Sequence, residues 1–595
     1  MVRSPRSART SWAVIAAIVL VVVGAIGAVR AALAGASFMY DLEQPRSALA
    51  RTAPVVVDPG TPRLARRVVL IIVDGLRWDA SLRMPALDRL RGRGVDGHAT
   101  SHYPSWSRPN YVSILTGVPP QASGVRTNRH YSPVALDTLM DRAQAARLRS
   151  AAASDNSPLP ALFLRPLDPA RQAELDALDI DAMDDPESDE ARAAAGMEVR
   201  SPFDDARYAP WPGGVVEAAR AQLADGAALD VVLIGVVDDT GHAEGAASDA
   251  YAAAVATADR MVGRIVASLD LAQDAVIVVA DHGHTDRGGH GGVEPEVMTV
   301  PLVAAGAGIR AGASPRDARL IDVAPTVAAL LAMPAPGHGL GRTLTELLTL
   351  EPAAAAARLA ADDARRAVTA RVVADSRSTS LARALARRGL RLGGVAALAL
   401  VLVGGALWLR RRGGLWFDRR TLVLGMPAFF VVYYVMVAAL GQRFSPSFLP
   451  AKGDLAFELA KYGVIGALAH VAVGWVVLRR HRSLAERLAL ANGNAAVGLF
   501  LTMVPAMLLW ALFPPPYTEV PGPRMLVLIP SLQVAVALYA FAILLSLAIE
   551  VVVFFARALD PSTRLIRLER ATALARKQLE AANPRAGDRG EPPAP

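Results

Sequence analysis

The chain has 595 residues, 53% of them hydrophobic, with a formal net charge of +8 and no cysteine. This length accommodates a large globular domain, but the apolar share is too high for a wholly soluble protein. The missing thiols exclude disulfides, thiolate zinc sites and cysteine nucleophiles, and the arginines gather beside apolar runs, where they read as topology signals and not as a nucleic-acid surface.

Arg3, Arg6 and Arg9 precede an apolar stretch over residues 12–29, long enough to cross a bilayer with its start in the cytoplasm. Ala34-Gly35-Ala36 has the small-residue pattern of a signal-peptidase site, so residues 1–35 read as a membrane anchor, which Arg30 favours, or as a signal peptide. Either one exports the chain beyond it. After a linker over 36–65, short apolar runs at 68–73, 231–237, 275–280 and 300–304 alternate with alanine-rich helical stretches up to residue 350. The pattern predicts an α/β domain over 66–350, with a doubly wound, mostly parallel sheet, helices on both faces and a site at the carboxyl ends of the strands. Residues 184–214, acidic and then rich in proline and aromatics, predict a long insertion or lid.

An Ala/Arg-rich helical connector over 351–391 is expected to lie on anionic lipid or to present a solvated face. Next comes an all-α transmembrane domain over 392–556, with apolar runs at 392–409, 422–440, 462–478, 495–513 and 534–555. With the first segment this makes six spans. The loops predicted inside carry Arg410, Arg411, Arg412, Arg419, Arg420, Arg479, Arg480 and Arg482, whereas those predicted outside, 442–454 and 514–524, are Pro-rich and poor in charge. Residues 557–595 form a basic cytoplasmic tail, expected to be disordered from 583 onward. The chain thus reads as a multi-pass protein of the cytoplasmic membrane, in contact with its lipids, with the 66–350 domain on the extracytoplasmic side; its oligomeric state is open. Inside the spans, His470 reads as neutral and hydrogen-bonded, and Glu550 lies near enough to a span end to snorkel.

Four short motifs place oxygen and nitrogen ligands where strands end or helices begin. Asp74-Gly75 closes the first strand, where a carboxylate can reach a metal or cap a helix. Ser107, in Ser105-Trp106-Ser107-Arg108-Pro109-Asn110-Tyr111, stands at a predicted helix start, a position that suits an anion-binding nucleophile or a plain N-cap. Asp238-Asp239-Thr240-Gly241-His242 puts a carboxylate and an imidazole on one loop, and Asp281-His282-Gly283-His284 with Gly288-Gly289-His290-Gly291-Gly292 repeats the arrangement. Only 10 residues are histidine, so four of them beside aspartate and glycine beyond buried strands point to a metal site.

In order and spacing these motifs resemble the alkaline phosphatase superfamily, in its type I phosphodiesterase and nucleotide pyrophosphatase branch, over roughly residues 66–347. The resemblance implies that Asp238, His242 and His290 bind one metal while Asp74, Asp281 and His282 bind the other together with Ser107. Both would be zinc, with manganese as the alternative; imidazole and carboxylate without thiolate agree with that. It also implies that Ser107 forms a phosphoserine intermediate and that Asn110 hydrogen-bonds a phosphoryl oxygen. Arg108 replaces a frequent aromatic, Ser107 a frequent Thr and Tyr111 a frequent His, which leaves nucleotide specificity open. Arg108 would clamp a second anionic group or pair outward. His284, Asp239, Asp286 and Glu244 fit supporting or solvent roles, and the signature of a formylglycine sulfatase is absent around Ser107. The expected activity is that of a membrane-anchored two-metal phosphodiesterase or phosphohydrolase outside the cytoplasmic membrane, with a phosphate-ester substrate, free or lipid-linked, and no nucleic acid as partner. The alternative is a phosphoethanolamine- or phosphoglycerol-type transferase acting on a lipid-linked or glycan acceptor, to which the five further spans lend weight.

Overall fold

The computed structural model describes residues 5–43, 47–155, 158–166, 174, 199–411, 415–439, 444–449, 455–481, 483–513, 517 and 519–582. The strands are β1 (Arg67–Val73), β2 (Val95–Thr100), β3 (Ser150–Ser154), β4 (Arg165–Pro166), β5 (Val199–Arg200), β6 (Asp205–Tyr208), β7 (Leu229–Ile234), β8 (Asp274–Val279) and β9 (Thr299–Gly306). Seven of them form one sheet in the order β2-β9-β8-β1-β7-β3-β6, and β4 pairs with β5 apart from it. From β8 to β6 all neighbours are parallel. Every residue of β7 and β8, and all of β1 except Arg67, is buried, so helices must cover both faces of the sheet there, as parallel ladders require.

Two expectations about strands are corrected. The 300–304 run lies in β9, which is antiparallel to β8 and not parallel. The 280–298 connection holds only the single turn Pro295–Met298 and no crossover helix, the usual element of a parallel return. The 231–237 run ends as a strand at Ile234, because the Asp155 carboxylate takes the Gly235 N–H at 2.8–2.9 Å and the chain turns into a helix at Val236. Of the expected lid, 184–198 lies outside the described residues, and the rest supplies β5 and the edge strand β6.

The helices that position the site and the membrane domain are α1 (Pro5–Ala36), α2 (Ser107–Thr116), α3 (Val236–Glu244), α4 (Pro352–Ala386), α5 (Arg388–Arg411), α6 (Arg419–Ala439), α7 (Leu455–Leu478), α8 (Leu484–Leu512), α9 (Pro523–Leu559) and α10 (Pro561–Ala582). Among the described residues, five helical stretches are long and apolar enough to cross a membrane; they include α5 to α9. Helix α1 packs along α9, and Gly35, in the segment that reads as anchor or cleavage site, abuts Val534 of α9. The tail forms α10 up to Ala582, and 583–595 lies outside the described residues.

The connector has an exposed side, Arg383, Arg387 and Arg388 included. One face of α4 docks on the α/β domain: Arg358 donates to the Thr61 hydroxyl and the Met333 carbonyl, and Arg365 donates to the Gly339 and Gly341 carbonyls while pairing with Asp362 at 2.9 Å. Arg358 and Arg365 therefore fasten this face of the helix to protein. Arg391, in the first turn of α5, donates to the Ala511 carbonyl in the last turn of α8, where carbonyls lack helical partners. Glu550 does not snorkel; it pairs with Arg487 of α8 at 2.5 Å, both side chains buried. His470 is buried with its ring edge-on to Tyr539, centroids 4.9 Å apart.

Removing one partner of a buried ion pair strands a charge. Arg487→Ala or Glu550→Ala should destabilise the protein by about 3–5 kcal/mol, while Arg487→Met with Glu550→Leu should recover most of that loss; thermal unfolding of the detergent-solubilised chain measures both. Asp230, on β7, has neither carboxylate oxygen hydrogen-bonded, and burial pushes its pKa up to about 8. Its folded pKa exceeds the unfolded one, so ionisation of the unfolded chain draws stability away from about pH 4 upward and the penalty levels off above about pH 8. Asp230→Asn removes that term. Its advantage over the parent should grow between about pH 5 and pH 8 by up to about 1.4 kcal/mol per unit, read from melting curves across that range.

Candidate metal and phosphoryl-transfer site

The carboxyl ends of three adjacent strands, β8, β1 and β7, deliver most of the side chains. Asp74 comes directly after β1, and Gly75 is left-handed at φ +72°, with a Cβ there falling 2.8 Å from the Asp238 Cα; only glycine admits that approach. Asp238 and His242 are not on a loop, as the sequence suggested, but one turn apart on α3, where spacing i, i+4 puts them on one face. Asp281 and His282 come just after β8, and His290 belongs to the glycine-rich segment beyond them. Ser107 is the first residue of α2; its N-cap is Trp106 in extended conformation, so Ser107 is not a capping serine and its hydroxyl is uncommitted to the helix end.

The distances describe a single nest. His282 Nε2 lies 3.1 Å from Ser107 Oγ, 3.3 Å from Asp74 Oδ1, 3.3 Å from Asp281 Oδ2 and 3.9 Å from Asp238 Oδ1. His290 Nε2 lies 3.0 Å from His242 Nε2 and 3.6 Å from Asp238 Oδ1, and His242 Nε2 lies 3.4 Å from Asp238 Oδ2. The rings of His282 and His290 stack at 3.6 Å. Among the described residues, the groups whose ligand atoms fall within 4.8 Å of one another are Asp74–Asp281–His282, Asp238–His282–His290 and Asp238–His242–His284.

Electrostatics make the nest unstable without a cation. Burial, then repulsion from Asp281 and Asp238, holds the Asp74 pKa well above the usual carboxylate range, and burial with the Asp238 charge pushes Asp281 up to about 7. Burial opposes ionisation of Asp238 too, but the His284 hydrogen bond and the neighbouring imidazoles outweigh it and hold this group low. Burial lowers His282 to about 3, and burial with the His282 charge lowers His290. Both rings are thus neutral, and their Nδ1 atoms face the carbonyls of Gly283 and Ser105 at 3.2 and 2.9 Å. The protons therefore sit on Nδ1 and the Nε2 lone pairs aim into the nest. Asp74 Oδ1 and Asp281 Oδ2 are buried there without a hydrogen-bond donor. Bare lone pairs converging from nitrogen and oxygen alone fit divalent cations and little else.

His284 has the opposite tautomer. Its Nδ1 accepts the Gly289 N–H at 3.1 Å, so its Nε2 carries a proton and donates to Asp238 Oδ1 at 2.8 Å. Its ring fills the slot between Gly75 and Gly241, where a Cβ would come within 2.9 and 2.6 Å of it. His284 orients Asp238. Tyr111, four residues after Ser107 on the same face of α2, donates its hydroxyl to Asp74 Oδ2; that spacing was the available signal for it.

Asn110 is fully buried, with its amide nitrogen 3.1 Å from the Trp106 carbonyl and its oxygen accepting the His102 N–H. The exposed amide beside Ser107 belongs to Asn128, whose Oδ1 accepts the Arg108 N–H at 3.0 Å; no motif in the sequence marked it. Arg108 is buried; it donates to the His130 carbonyl and lies over the Tyr131 ring. Asp286 pairs with Arg77 at 2.6 Å.

Residues 68–298 match the family model described as type I phosphodiesterase / nucleotide pyrophosphatase. This segment is a phosphodiesterase-family domain. GPI ethanolamine phosphate transferase 1 of Emericella nidulans is 24% identical over 286 residues, 42% of this chain and 28% of that protein. The 2,3-bisphosphoglycerate-independent phosphoglycerate mutase of Roseobacter denitrificans is 35% identical over 141 residues, 22% of this chain and 26% of that protein. The chain spans about a quarter of the length of these curated relatives. Human ectonucleotide pyrophosphatase / phosphodiesterase 5 superposes with a TM-score of 0.36 at 14% identity, over 48% of this chain and all of that one.

Outer partners of metal-binding groups typically contribute about 10–100-fold in affinity. His284→Ala should therefore weaken divalent-metal binding to the phosphodiesterase-family domain by about that factor, measured by titration calorimetry of the metal-stripped chain.

Proposed function

We propose that the protein transfers a phosphoethanolamine-type group from a donor phosphodiester to an alcohol on a lipid-linked acceptor, through Ser107. One observation carries the reading: membrane-domain segments form the rim of the site on two sides. Tyr103, four residues before the nucleophile, donates its hydroxyl to the Pro521 carbonyl at 2.6 Å, and Trp106 packs with Phe38, Leu42, Tyr517, Val520 and Leu526. Across the nest, the His290 segment meets Ser447 in the loop between α6 and α7. A hydrolase of soluble esters has no use for such a rim. The transferase named among the relatives supports the same choice, and the family match supports the chemistry it shares with hydrolysis.

Asp238, His242 and His290 would hold one divalent cation, and Asp74, Asp281, His282 and Ser107 the other, with zinc the ion that best suits these donors. When bound, the pair lowers the pKa of the Ser107 hydroxyl and neutralises the phosphoryl oxygens. Ser107 Oγ attacks phosphorus in line, the donor's ester P–O bond breaks, and the serine proton leaves with the departing alcohol. The acceptor hydroxyl then attacks the phosphoserine, Ser107 regains a proton, and the new diester departs. Asn128 offers its amide nitrogen to a phosphoryl oxygen. Asn110, proposed from the resemblance for that contact, would act by fixing the turn that carries Ser107. Tyr111 and His284 keep Asp74 and Asp238 aimed inward.

Charge supports one orientation. Residues 444–449, 517 and 519–521 touch the phosphodiesterase-family domain, while Arg410, Arg411, Arg419, Arg420, Arg479 and Arg480 cluster at the other helix ends. Basic ends tend to stay in the cytoplasm, which supports a catalytic domain outside. A second reading, hydrolysis, has the same first half, with water resolving the phosphoserine.

The test uses the full chain in nanodiscs containing phosphatidylethanolamine labelled in its headgroup. Acid quenching should trap label on the protein, label should pass to an alcohol-bearing acceptor lipid, and Ser107→Ala should lose both by at least about 10³-fold. Release of free phosphoethanolamine with no labelled lipid product selects hydrolysis, and failure of Ser107→Ala to change either sinks both readings.

A further inference from the structure

The segment that carries His290 is gripped from two directions. On the nucleophile side, Ser105 Oγ accepts the Gly291 N–H and donates to the Gly292 carbonyl, both at 2.9 Å, and the Ser105 carbonyl takes His290 Nδ1. On the membrane side stands Ser447, fully buried in the turn Pro446–Phe448 between α6 and α7. Its hydroxyl accepts the Gly292 N–H at 2.9 Å and donates to the Glu294 carboxylate at 2.5 Å.

Backbone meets backbone at this contact. A Cβ on Gly289 would fall 2.2 Å from the Ser447 carbonyl, and one on Gly292 would fall 2.6 Å from the Ser447 hydroxyl. A hydroxyl bridging an N–H and a carboxylate fixes direction as well as distance, since it must accept along one axis and donate along another. The segment thus has no slack between the Ser105 clamp and the Ser447 clamp, and the angle of the His290 ring depends on both.

We infer that Ser447, supplied by the membrane domain, is a positioning residue that holds His290 in its metal-binding geometry, so the catalytic site is complete only when the two domains are seated together. The inference rests on the proposed phosphoryl transfer through Ser107. It goes further in making the membrane domain part of the catalytic apparatus and not solely an anchor.

A merely adhesive Ser447 would affect melting and nothing else. A positioning Ser447 affects metal retention and turnover. The experiment compares wild type, Ser447→Ala, Ser447→Thr and Ser447→Cys as full chains in nanodiscs, loaded with zinc. The readouts are metal per chain by mass spectrometry, the rate of metal loss to a chelator, and kcat and KM on bis-p-nitrophenyl phosphate. Ser447→Ala should lose metal about 10–100-fold faster and lose kcat with KM little changed, while Ser447→Thr, which keeps the hydroxyl, should stay close to wild type. Should Ser447→Ala melt too low to assay, the near-isosteric Ser447→Cys decides, because it keeps the volume and weakens the bridge; it should show the same loss. Wild-type retention and kcat in both the alanine and cysteine variants overturns the inference. A wild-type chain that binds no divalent metal overturns the proposed function and this inference with it.

Discussion

Asp74 and Asp281, buried just past neighbouring strands, meet the half-buried Asp238 of α3, with imidazole lone pairs turned toward them. A protein interior does not tolerate such a cluster on its own terms: desolvation and like-charge repulsion drive protons onto Asp74 and Asp281, and a protonated carboxyl is a poor ligand. The surroundings are nevertheless built to keep the lone pairs bare. Gly283 and Ser105 fix two tautomers in one sense, Gly289 fixes that of His284 in the other, and Tyr111 satisfies only one oxygen of Asp74. The parallel strands, the tight turn at Gly75 and the helix that starts at Ser107 all serve this one convergence of charge.

The parts of the fold that depend on local pattern were readable in the sequence. Apolar runs marked the strands because a strand buried on both faces carries few polar residues, and Asp74 and Asp281 stood out by ending such runs. Apolar length likewise marked the spans. What could not be read depended on contacts between distant segments. The direction of β9 is set by its neighbour in space, and the switch from strand to helix at Gly235 is set by Asp155, 80 residues away. Arg358 and Arg365 look like solvent or lipid contacts until the surface they cover is known.

The candidate site shows the same division. Residues in the motifs converge on the nest because each motif is a short strand-to-helix junction with little conformational choice. Asn110 and Asn128 were harder to assign, since which amide faces the cleft depends on whether the backbone nearby consumes it. His284 sits between two ligand-type residues in sequence, and only the Gly289 N–H on its inner nitrogen separates an orienting role from a ligating one.

The buried Arg487–Glu550 pair joins the first turn of α8 to the end part of α9. Sliding one helix past the other by a turn would leave two buried charges unpaired, so the pair acts as a latch on their register. The helix bearing Glu550 begins just past the segment that packs on Trp106, beside Ser107. A charge lock between two long apolar helices therefore fixes the level at which Ser107 stands against the helical domain.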